Sequence, residues 1–183
     1  ETDMDVAVVQ MGATLPTTNP PTRVAEEYGM LDTISGGRLI AGMPLGTAMD
    51  ATLCAGITPI EQRERYYEAH DLILKSWTAE DVFAWNGKYY QLPKVNVWPR
   101  PIQQPHPPIW IPGLGSLSTW EFAAQHNHCY CFLSYYGPKA GKSVMDGFWQ
   151  FIQERDIEPN PYRAGFLQLV AVAELSLIHI SEP

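Results

Sequence analysis

The sequence predicts an α/β protein built around a parallel β-sheet. Short apolar segments of strand length alternate with longer segments whose apolar residues recur at helical spacing, in the order βαβαβαβαβ. This alternation is compatible with a doubly wound sheet or with a closed barrel of eight strands. A closed barrel typically takes about 250 residues. The five strands in this chain of 183 residues would therefore form an incomplete barrel.

The composition is typical of a globular protein and excludes two classes of function. Hydrophobic residues make up 45% of the chain and charged residues 17%, and both values are ordinary. The net charge of −8, without a cluster of Lys and Arg, argues against a nucleic-acid surface. No apolar run reaches the roughly 18 residues of a membrane span, and the amino terminus is acidic where a signal peptide is basic. The three cysteines form no disulfide framework, so we expect a cytoplasmic protein.

The first strand and helix are predicted in the first 37 residues. A β-branched and apolar strand covers residues 6–14 and is followed by turn-forming residues. The helix that comes next has an apolar face formed by Val24, Tyr28, Leu31 and Ile34. Gly36 and Gly37 end this helix, and a second strand is predicted over residues 38–43.

A second helix has the clearest start signal in the chain. Thr58 is the predicted N-cap, Pro59 occupies the first helical position, and Glu61 completes a capping box. Pro is favourable there because its missing N–H would have no acceptor in the helix. The helix is expected to extend to about residue 77.

An insertion is predicted between this helix and the next strand. Two aromatic segments within residues 82–92 flank Asn86 and Gly87, a pair typical of a β-hairpin with a tight primed turn. The aromatic side chains would line a substrate entrance or, more commonly, pack against the protein. Residues 93–112 hold seven prolines, which predicts an extended surface segment rather than a central strand.

The remainder of the chain repeats the strand and helix pattern. A short strand around Ile109 leads into a helix from about Ser118. Residues 129–134 are predicted as a buried strand, and a helix follows from about 142 to 155. The last predicted strand covers residues 166–173.

The loop at 113–119 is the leading candidate for a binding site. It carries glycines at 113 and 115 and three hydroxyl residues, and it connects a strand to a helix. In a parallel sheet such a loop lies at the carboxyl end of its strand, where helix N–H groups attract anions. The loop is therefore either a phosphate site or a simple turn in which Ser116 or Ser118 caps the helix.

Two other phosphate motifs fail on their spacing. The dinucleotide fingerprint requires a third glycine at the position of Ser118. The P-loop suggested by Gly141-Lys142-Ser143 requires a glycine at the position of Tyr136. The sequence therefore argues against both motifs.

A short segment rich in His and Cys raises the question of a metal site. The residues concerned are His126, His128, Cys129 and Cys131. Structural zinc sites of this type need a second pair of ligands, and the sequence offers none. The sequence therefore predicts no metal site, and Cys129 also belongs to the predicted buried strand.

A set of short motifs, in order and at consistent spacing, resembles one enzyme family. The motifs are Leu15-Pro16, Asn19-Pro20, segments 23–27, 31–39 and 63–77, and Pro107-Pro108-Ile109-Trp110 with Ser116, Ser118 and Thr119. Together they resemble the bacterial luciferase-like monooxygenases, flavin-dependent enzymes on a TIM barrel. The resemblance makes residues 1–174 a partial barrel domain that contains the third to seventh strands. Residues 175–183 resemble the translation of a sequencing adapter, so we expect a non-native tail there.

The resemblance implies that a flavin lies at the carboxyl ends of the strands. The implied cofactor-binding residues are Met11, Gly12, Gly115, Ser116, Leu117 and Thr119. Ser116 and Thr119 would hold the phosphate with backbone N–H groups of the loop. The Met11–Gly12 peptide would pass close to the flavin ring, and in some members of the family the matching bond is cis.

One departure from the family concerns the end of the second predicted strand. The luciferases carry a reactive cysteine and an arginine that contacts the flavin phosphate, whereas this chain has Pro44 and Leu45. Loss of that cation removes a charge-assisted hydrogen bond of about 1.5–3 kcal/mol. We therefore expect no light emission, and either weaker flavin binding or use of the deazaflavin F420.

The resemblance also implies a reaction and partners. Reduced FMN, supplied by a separate flavin reductase, would react with O2 and a small organic substrate, and the full-length protein would be a homo-oligomer. The candidate catalytic residues of the family lie largely on the first two strands, so none is named and the fragment is expected to be inactive. The alternatives are an F420-dependent dehydrogenase or reductase on the same barrel, and a non-catalytic flavin-binding relative.

Overall fold

The computed structural model describes residues 6–46, 53–134 and 137–168. Its strands are β1 (Val8–Gln10), β2 (Leu39–Gly42), β3 (Phe83–Asn86), β4 (Gln91–Val95), β5 (Ile109–Gly113), β6 (Cys129–Ser134) and β7 (Ala164–Gln168). Its helices are α1 (Thr22–Ile34), α2 (Pro59–Thr78), α3 (Leu117–Gln125) and α4 (Gly137–Glu154), with 3-10 helices at Leu15–Thr17 and Pro161–Arg163. None of these helices is long and apolar enough to cross a membrane.

Five strands form one parallel sheet in the order β1-β2-β5-β6-β7. Val8 pairs with Leu39, and Ile111 pairs with Tyr130 in the middle of the sheet. A doubly wound sheet would reverse its strand order at a switch point, whereas here each strand lies beside the previous one. The order therefore confirms the predicted incomplete TIM barrel and excludes the doubly wound alternative for the described strands.

The core lies where the sheet meets its helices. Its buried sheet residues are Leu39, Ala41, Ile109, Ile111, Tyr130 and Phe132. Helices α1 and α2 pack through Tyr28 and Trp77, whose ring centroids lie 6.3 Å apart. The Trp77 indole N–H also donates to the Ala25 carbonyl at 3.0 Å, so its polar atom is satisfied inside the core.

The first strand and helix differ from the sequence prediction in extent. β1 covers three residues instead of the predicted 6–14, and Leu15–Thr17 is a 3-10 helix. In α1, Ile34 is 75% exposed although it was predicted on the apolar face. The buried residue of the last turn is Asp32, which lies about 200° around the helix from Ile34. A polar anchor therefore replaces the apolar contact that periodicity predicted.

The predicted capping box at α2 does not form. Thr58 is the N-cap residue and Pro59 the first helical residue, as predicted, but the Thr58 side chain makes no capping hydrogen bond. Glu61 instead accepts from Arg65, one turn further along, at 3.3 Å. The Glu61 carboxylate is therefore engaged in an ion pair within the helix and does not complete the capping box.

The predicted hairpin is present, but its turn is longer than expected. β3 and β4 are antiparallel, and Asn86 pairs with Gln91. The connection therefore contains four residues, closed by a hydrogen bond of 2.9 Å from the Gly87 N–H to the Tyr90 carbonyl. The two-residue primed turn predicted at Asn86 and Gly87 is wrong.

The hairpin connection is held by a carboxylate of α2. Glu68 accepts hydrogen bonds from the backbone N–H groups of Tyr89 and Tyr90, both at 2.9 Å, and from the Trp85 indole at 3.1 Å. Three donors on one carboxylate stabilise a loop that the turn residues alone do not specify. The hairpin therefore packs on α2, which agrees with the expectation that its aromatic side chains pack against the protein.

The proline-rich segment between β4 and β5 runs along the amino edge of the sheet. The buried carboxylate of Asp32 accepts from the backbone N–H groups of Ile102 and Gln103 at 2.8 and 3.0 Å. The Gln103 amide also donates to Asp32 at 2.6 Å and to the Leu39 carbonyl at 2.8 Å. Hydrogen bonds to α1 and β2 thus replace the sheet pairing that prolines prevent.

The last elements follow the predicted order. β6 has the predicted bounds, whereas α4 begins at Gly137, five residues before the predicted start. Gly141 and Lys142 therefore lie inside a helix, in agreement with rejection of the P-loop. The end of the predicted last strand and the tail at 175–183 lie outside the described residues.

Candidate functional site

Loops that follow β1, β2 and β5 converge on a cavity of about 540 Å³ at the carboxyl edge of the sheet. Its lining residues are Met11, Gly12, Thr14, Pro44, Leu45, Gly46, Arg63, Pro112, Gly113, Leu114, Gly115, Ser116, Thr119 and Leu133. The carboxyl edge is where parallel α/β proteins bind ligands, and the volume is in the usual range for a small molecule or cofactor. The fold therefore assembles one site from residues as distant in the chain as Met11 and Leu133.

The loop between β5 and α3 supplies one wall of the cavity. Gly115 has φ +103°, and a Cβ at this position would lie 3.0 Å from a methyl group of Val144. A side chain here would therefore be strained by its backbone and crowded by α4. The glycine allows the loop to turn sharply from the strand into the helix.

The start of α3 leaves donors available for an anion. Ser116 occupies the N-cap position but makes no side-chain capping bond; its hydroxyl instead bonds the Thr119 hydroxyl at 2.7 Å. The N–H groups of Leu117 and Ser118, the first two helical residues, have no intrahelical acceptor. The capped-turn alternative therefore fails, because neither Ser116 nor Ser118 caps the helix through its side chain.

Five of the six residues predicted to bind the cofactor line this cavity. They are Met11, Gly12, Gly115, Ser116 and Thr119. The sixth, Leu117, is outside the lining, and the residue is 52% exposed. Leu117 can therefore contribute only its backbone N–H, at the first position of α3.

The Met11–Gly12 segment lines another part of the cavity. The peptide between the two residues is trans, unlike the cis bond found in some members of the family. A Cβ on Gly12 would meet only the Gln10 side chain, at 3.5 Å, so crowding does not require glycine here. The missing side chain instead leaves the backbone accessible from the cavity.

The loop after β2 contributes apolar side chains and is fixed by α2. Pro44 and Leu45 line the cavity at the position where the luciferases carry cysteine and arginine. The Gln62 amide donates to the Leu45 carbonyl at 3.1 Å, and the Tyr66 hydroxyl donates to the Met43 carbonyl at 2.9 Å. Burial raises the pKa of Tyr66, so its hydroxyl keeps its proton and remains a donor.

Arg63 is the functional candidate that sequence reasoning missed. It lies half-buried in the second turn of α2, and it is the one positively charged side chain among the described residues of the cavity lining. Its guanidinium donates to the Tyr67 hydroxyl at 3.5 Å. The sequence feature that could have identified Arg63 is the helix start at Pro59, because it places the first turns of α2 at the carboxyl edge of the sheet.

The cavity lining is poor in groups that transfer protons. Among the described residues that line it, none is Asp, Glu, His, Cys or Tyr. The lining offers hydroxyl groups, backbone N–H groups, one guanidinium and apolar surface. The arrangement can therefore bind an anion and orient an apolar or aromatic group, but these residues supply no general acid or base.

A second polar cluster lies at the opposite, amino edge of the sheet. His70, His126 and His128 place their potential ligand atoms within 4.8 Å of one another. Burial, followed by repulsion from His70 and His126, lowers the pKa of His128 to about 3. The predicted candidates Cys129 and Cys131 do not belong to this cluster, and burial raises both thiol pKa values to about 12.

Comparisons with known proteins agree with this geometry. A family model described as luciferase-like monooxygenase matches residues 8–176. The FMNH2-dependent dimethylsulfone monooxygenase of Pseudomonas putida is 29% identical over 186 residues, which cover 90% of this chain and 49% of that protein. The F420-dependent glucose-6-phosphate dehydrogenase of Kineococcus radiotolerans is 37% identical over 90 residues, 48% of this chain and 26% of that protein.

A solved structure shows the same architecture. Monooxygenase RslO1 from Streptomyces bottropensis superposes with a TM-score of 0.72 at 26% identity. The superposition covers 88% of this chain and 49% of that protein. The chain thus spans about half or less of the length of these relatives.

Proposed function

Because the chain belongs to the luciferase-like monooxygenase family, we propose that its carboxyl-edge cavity binds FMN for a monooxygenase reaction. The family consists of flavin-dependent monooxygenases and related oxidoreductases that use FMN or F420. The finer assignment, to reduced FMN, O2 and a small organic substrate, is our proposal. It rests on the donors that this chain places around the cavity.

One observation carries the proposal: hydroxyl and guanidinium donors line a single cavity, and the free N–H groups at the start of α3 lie next to it. The hydroxyls of Ser116 and Thr119, the N–H groups at the start of α3 and the Arg63 guanidinium all lie at the carboxyl edge. Such a set suits a phosphate monoester, because the guanidinium supplies charge and the helix terminus supplies directed N–H groups. The residues present therefore fit the phosphate of FMN.

Arg63 changes the expectation of weaker flavin binding that followed from Leu45, which stands where the luciferases carry an arginine. The family's arginine is absent at the end of β2, but a guanidinium reaches the same cavity from the adjacent helix. The Arg63–Tyr67 hydrogen bond positions that guanidinium, and the Gln62–Leu45 hydrogen bond ties its helix to the loop. We propose that Arg63 replaces the missing cation at the phosphate.

The remaining lining residues orient the ring and exclude water. Pro44, Leu45 and Leu114 present apolar surface, and Gly12 leaves its backbone open to close approach. When bound, the reduced flavin supplies the electrons for the reduction of O2 and the oxygenation of the substrate. Apolar walls favour this chemistry, because exclusion of water protects reactive species from side reactions.

We propose the corresponding partners for the complete protein. A separate flavin reductase would supply the reduced cofactor, and the protein would work as a homo-oligomer in the cytoplasm. The proposed barrel domain covers residues 1–174, and the proposed non-native tail covers residues 175–183. Mass spectrometry of the natural gene product would test the tail, because a native tail would leave peptides that extend past Glu174 into this sequence.

A second candidate is an F420-dependent dehydrogenase or reductase, which moves hydride without O2. The observation that favours it is the 37% identity to an F420-dependent enzyme over about half of this chain. The third candidate, a non-catalytic flavin-binding relative, is favoured by the lack of acid and base residues in the described lining.

Assays of the complete gene product with each reduced cofactor separate the three candidates. We expect O2 consumption with reduced FMN that increases when a sulfone or another small organic substrate is present. Hydride transfer with F420, without O2 consumption, would support the second candidate. Tight flavin binding without turnover of either cofactor would support the third and contradict a monooxygenase.

A further inference from the structure

Three histidines from separate elements meet at the amino edge of the sheet. His70 lies in the middle of α2, His126 is the C-cap residue of α3, and His128 precedes β6. The Nε2 atoms of His70 and His128 are 2.8 Å apart, and potential ligand atoms of all three rings lie within 4.8 Å of one another. The fold thus brings together imidazoles that are up to 58 positions apart in the sequence.

A carboxylate orients the most buried of these rings. The Nδ1–H of His70 donates to Asp71 Oδ1 at 2.9 Å, so the Nε2 lone pair of His70 is directed into the cluster. A carboxylate on the far nitrogen is the usual arrangement for a histidine that binds a metal, because it fixes the tautomer and raises the basicity of the ligand. His70 therefore has the partner that a metal ligand requires.

Aromatic packing holds the rings in place. The Phe122 ring lies 4.9 Å from the His70 ring and 4.6 Å from the His126 ring, measured between centroids. His70 and His128 are buried, whereas His126 is half-buried and lines a cavity at this edge. The cluster is thus preorganised on one side and accessible to solvent through His126.

We propose that His70, His126 and His128 bind one Zn²⁺ ion, with a water molecule in the fourth position. Zn–N bonds of about 2.0–2.1 Å place tetrahedral nitrogen ligands about 3.3 Å apart. The observed spacing, between 2.8 and 4.8 Å, brackets this value, so movements of roughly an ångström complete the site. Three imidazoles with an open position suit Zn²⁺ better than Mg²⁺ or Ca²⁺, which prefer oxygen ligands.

Metal binding changes one proton position. Because His70 Nε2 accepts, His128 Nε2 donates the hydrogen bond between the two rings in the metal-free protein. On binding Zn²⁺, the neutral His128 ring carries its proton on Nδ1 and turns its Nε2 lone pair to the metal. The step moves one proton from Nε2 to Nδ1 of the His128 ring, so it requires no net uptake or release of a proton.

The proposal is contrary to the sequence-based prediction of no metal site, and it is independent of flavin binding. The prediction considered ligand pairs that are close in sequence, and His70 is too distant to enter such a pattern. The zinc would join α2 to the loop before β6, at the edge of the sheet opposite the cavity. Failure of either proposal therefore leaves the other unaffected.

Zinc titration of the tag-free, chelator-treated complete protein, against a chromophoric zinc competitor, tests the site. We expect one Zn²⁺ per chain in the wild type and no stoichiometric binding in His126→Ala or His128→Ala. His106→Ala is the matched control, because it removes an imidazole from the same cavity that is outside the cluster. His126 is the primary target, since its partial exposure makes misfolding on substitution less of a concern than at buried His70.

A second variant keeps all three ligands and removes only the orienting charge. Asp71→Asn should weaken zinc affinity by about 10–100-fold. Zinc should also raise the melting temperature of the wild type and the His106→Ala variant but not that of His126→Ala. Absence of stoichiometric zinc in the wild type, or zinc binding unchanged by His126→Ala, would overturn the proposal and leave a hydrogen-bonded histidine cluster.

Discussion

The two edges of the sheet differ in what their polar groups bind. At the carboxyl edge, the N–H groups of Leu117 and Ser118 have no intrahelical partner and Arg63 lies in the cavity lining. At the amino edge, the Asp32 carboxylate accepts three hydrogen bonds from Ile102 and Gln103. The carboxyl edge therefore offers donors to a ligand, whereas the Asp32 carboxylate at the amino edge holds the proline-rich segment against α1. In a barrel built from repeated units, the carboxyl face typically carries the active site, and contacts such as those of Asp32 at the amino face carry stability.

The largest expected effect is on stability, at the amino edge. Asp32→Ala removes the buried carboxylate that accepts from two backbone N–H groups and from the Gln103 amide of the proline-rich segment. We expect the free energy of unfolding to fall by about 3–5 kcal/mol, as measured by urea denaturation. The exposed carboxylate of Asp81 is the control, and Asp81→Ala should change stability by less than about 0.5 kcal/mol. Equal effects of the two variants would contradict the assignment of a stabilising role to this edge.

The next effect is on ligand binding, at the carboxyl edge. Arg63→Met removes the guanidinium and should weaken FMN binding by about 10–150-fold, which corresponds to 1.5–3 kcal/mol. Riboflavin lacks the phosphate, so its affinity should change by less than about twofold if the guanidinium acts on that group. Fluorescence titration of both flavins measures the difference.

The matched control for Arg63 lies on the same helix. Arg65 pairs with Glu61 and lies outside the cavity lining, so Arg65→Met should leave both affinities unchanged. An equal loss of FMN and riboflavin in Arg63→Met would assign Arg63 to the ring instead of the phosphate. No loss of either flavin would remove Arg63 from the site.

The smallest effect concerns a single hydroxyl of the loop. Thr119→Val keeps the shape of the buried side chain but removes the hydroxyl that bonds Ser116. We expect FMN affinity to fall by about 2–12-fold, or 0.5–1.5 kcal/mol, with little change in riboflavin affinity. Ser118→Ala is the control, since the Ser118 side chain lies outside this cavity. A loss of FMN affinity in Ser118→Ala as large as that in Thr119→Val would contradict a specific role of the Thr119 hydroxyl at the phosphate.

The sequence predicted the fold better than the boundaries of its elements. β6 has the predicted bounds because its apolar run is continuous and buried. β1 is shorter than predicted, because the segment after Gln10 leaves the sheet, and Met11, Gly12 and Thr14 line the cavity. The capping box failed because Glu61 has a competing partner, Arg65, one turn away.

The candidate site was predicted in part. The loop at 113–119 is identified by its glycines and hydroxyls, which are adjacent in sequence and contribute to one wall of the cavity. Arg63 was missed because its position in the cavity depends on the packing of α2 beside the loop after β2. His70 was missed for the same reason, since it meets His128 across 58 residues.

The amino-acid order by itself determined the alternation of strands and helices, the family to which they belong and the loop that offers anion donors. These features depend on residues within a few positions of one another, where backbone preferences and apolar periodicity act. Only the tertiary structure decided that Arg63 shares the cavity with that loop and that three histidines meet at the other edge. Such contacts form between residues distant in sequence, because packing of the helices on the sheet sets which side chains become neighbours.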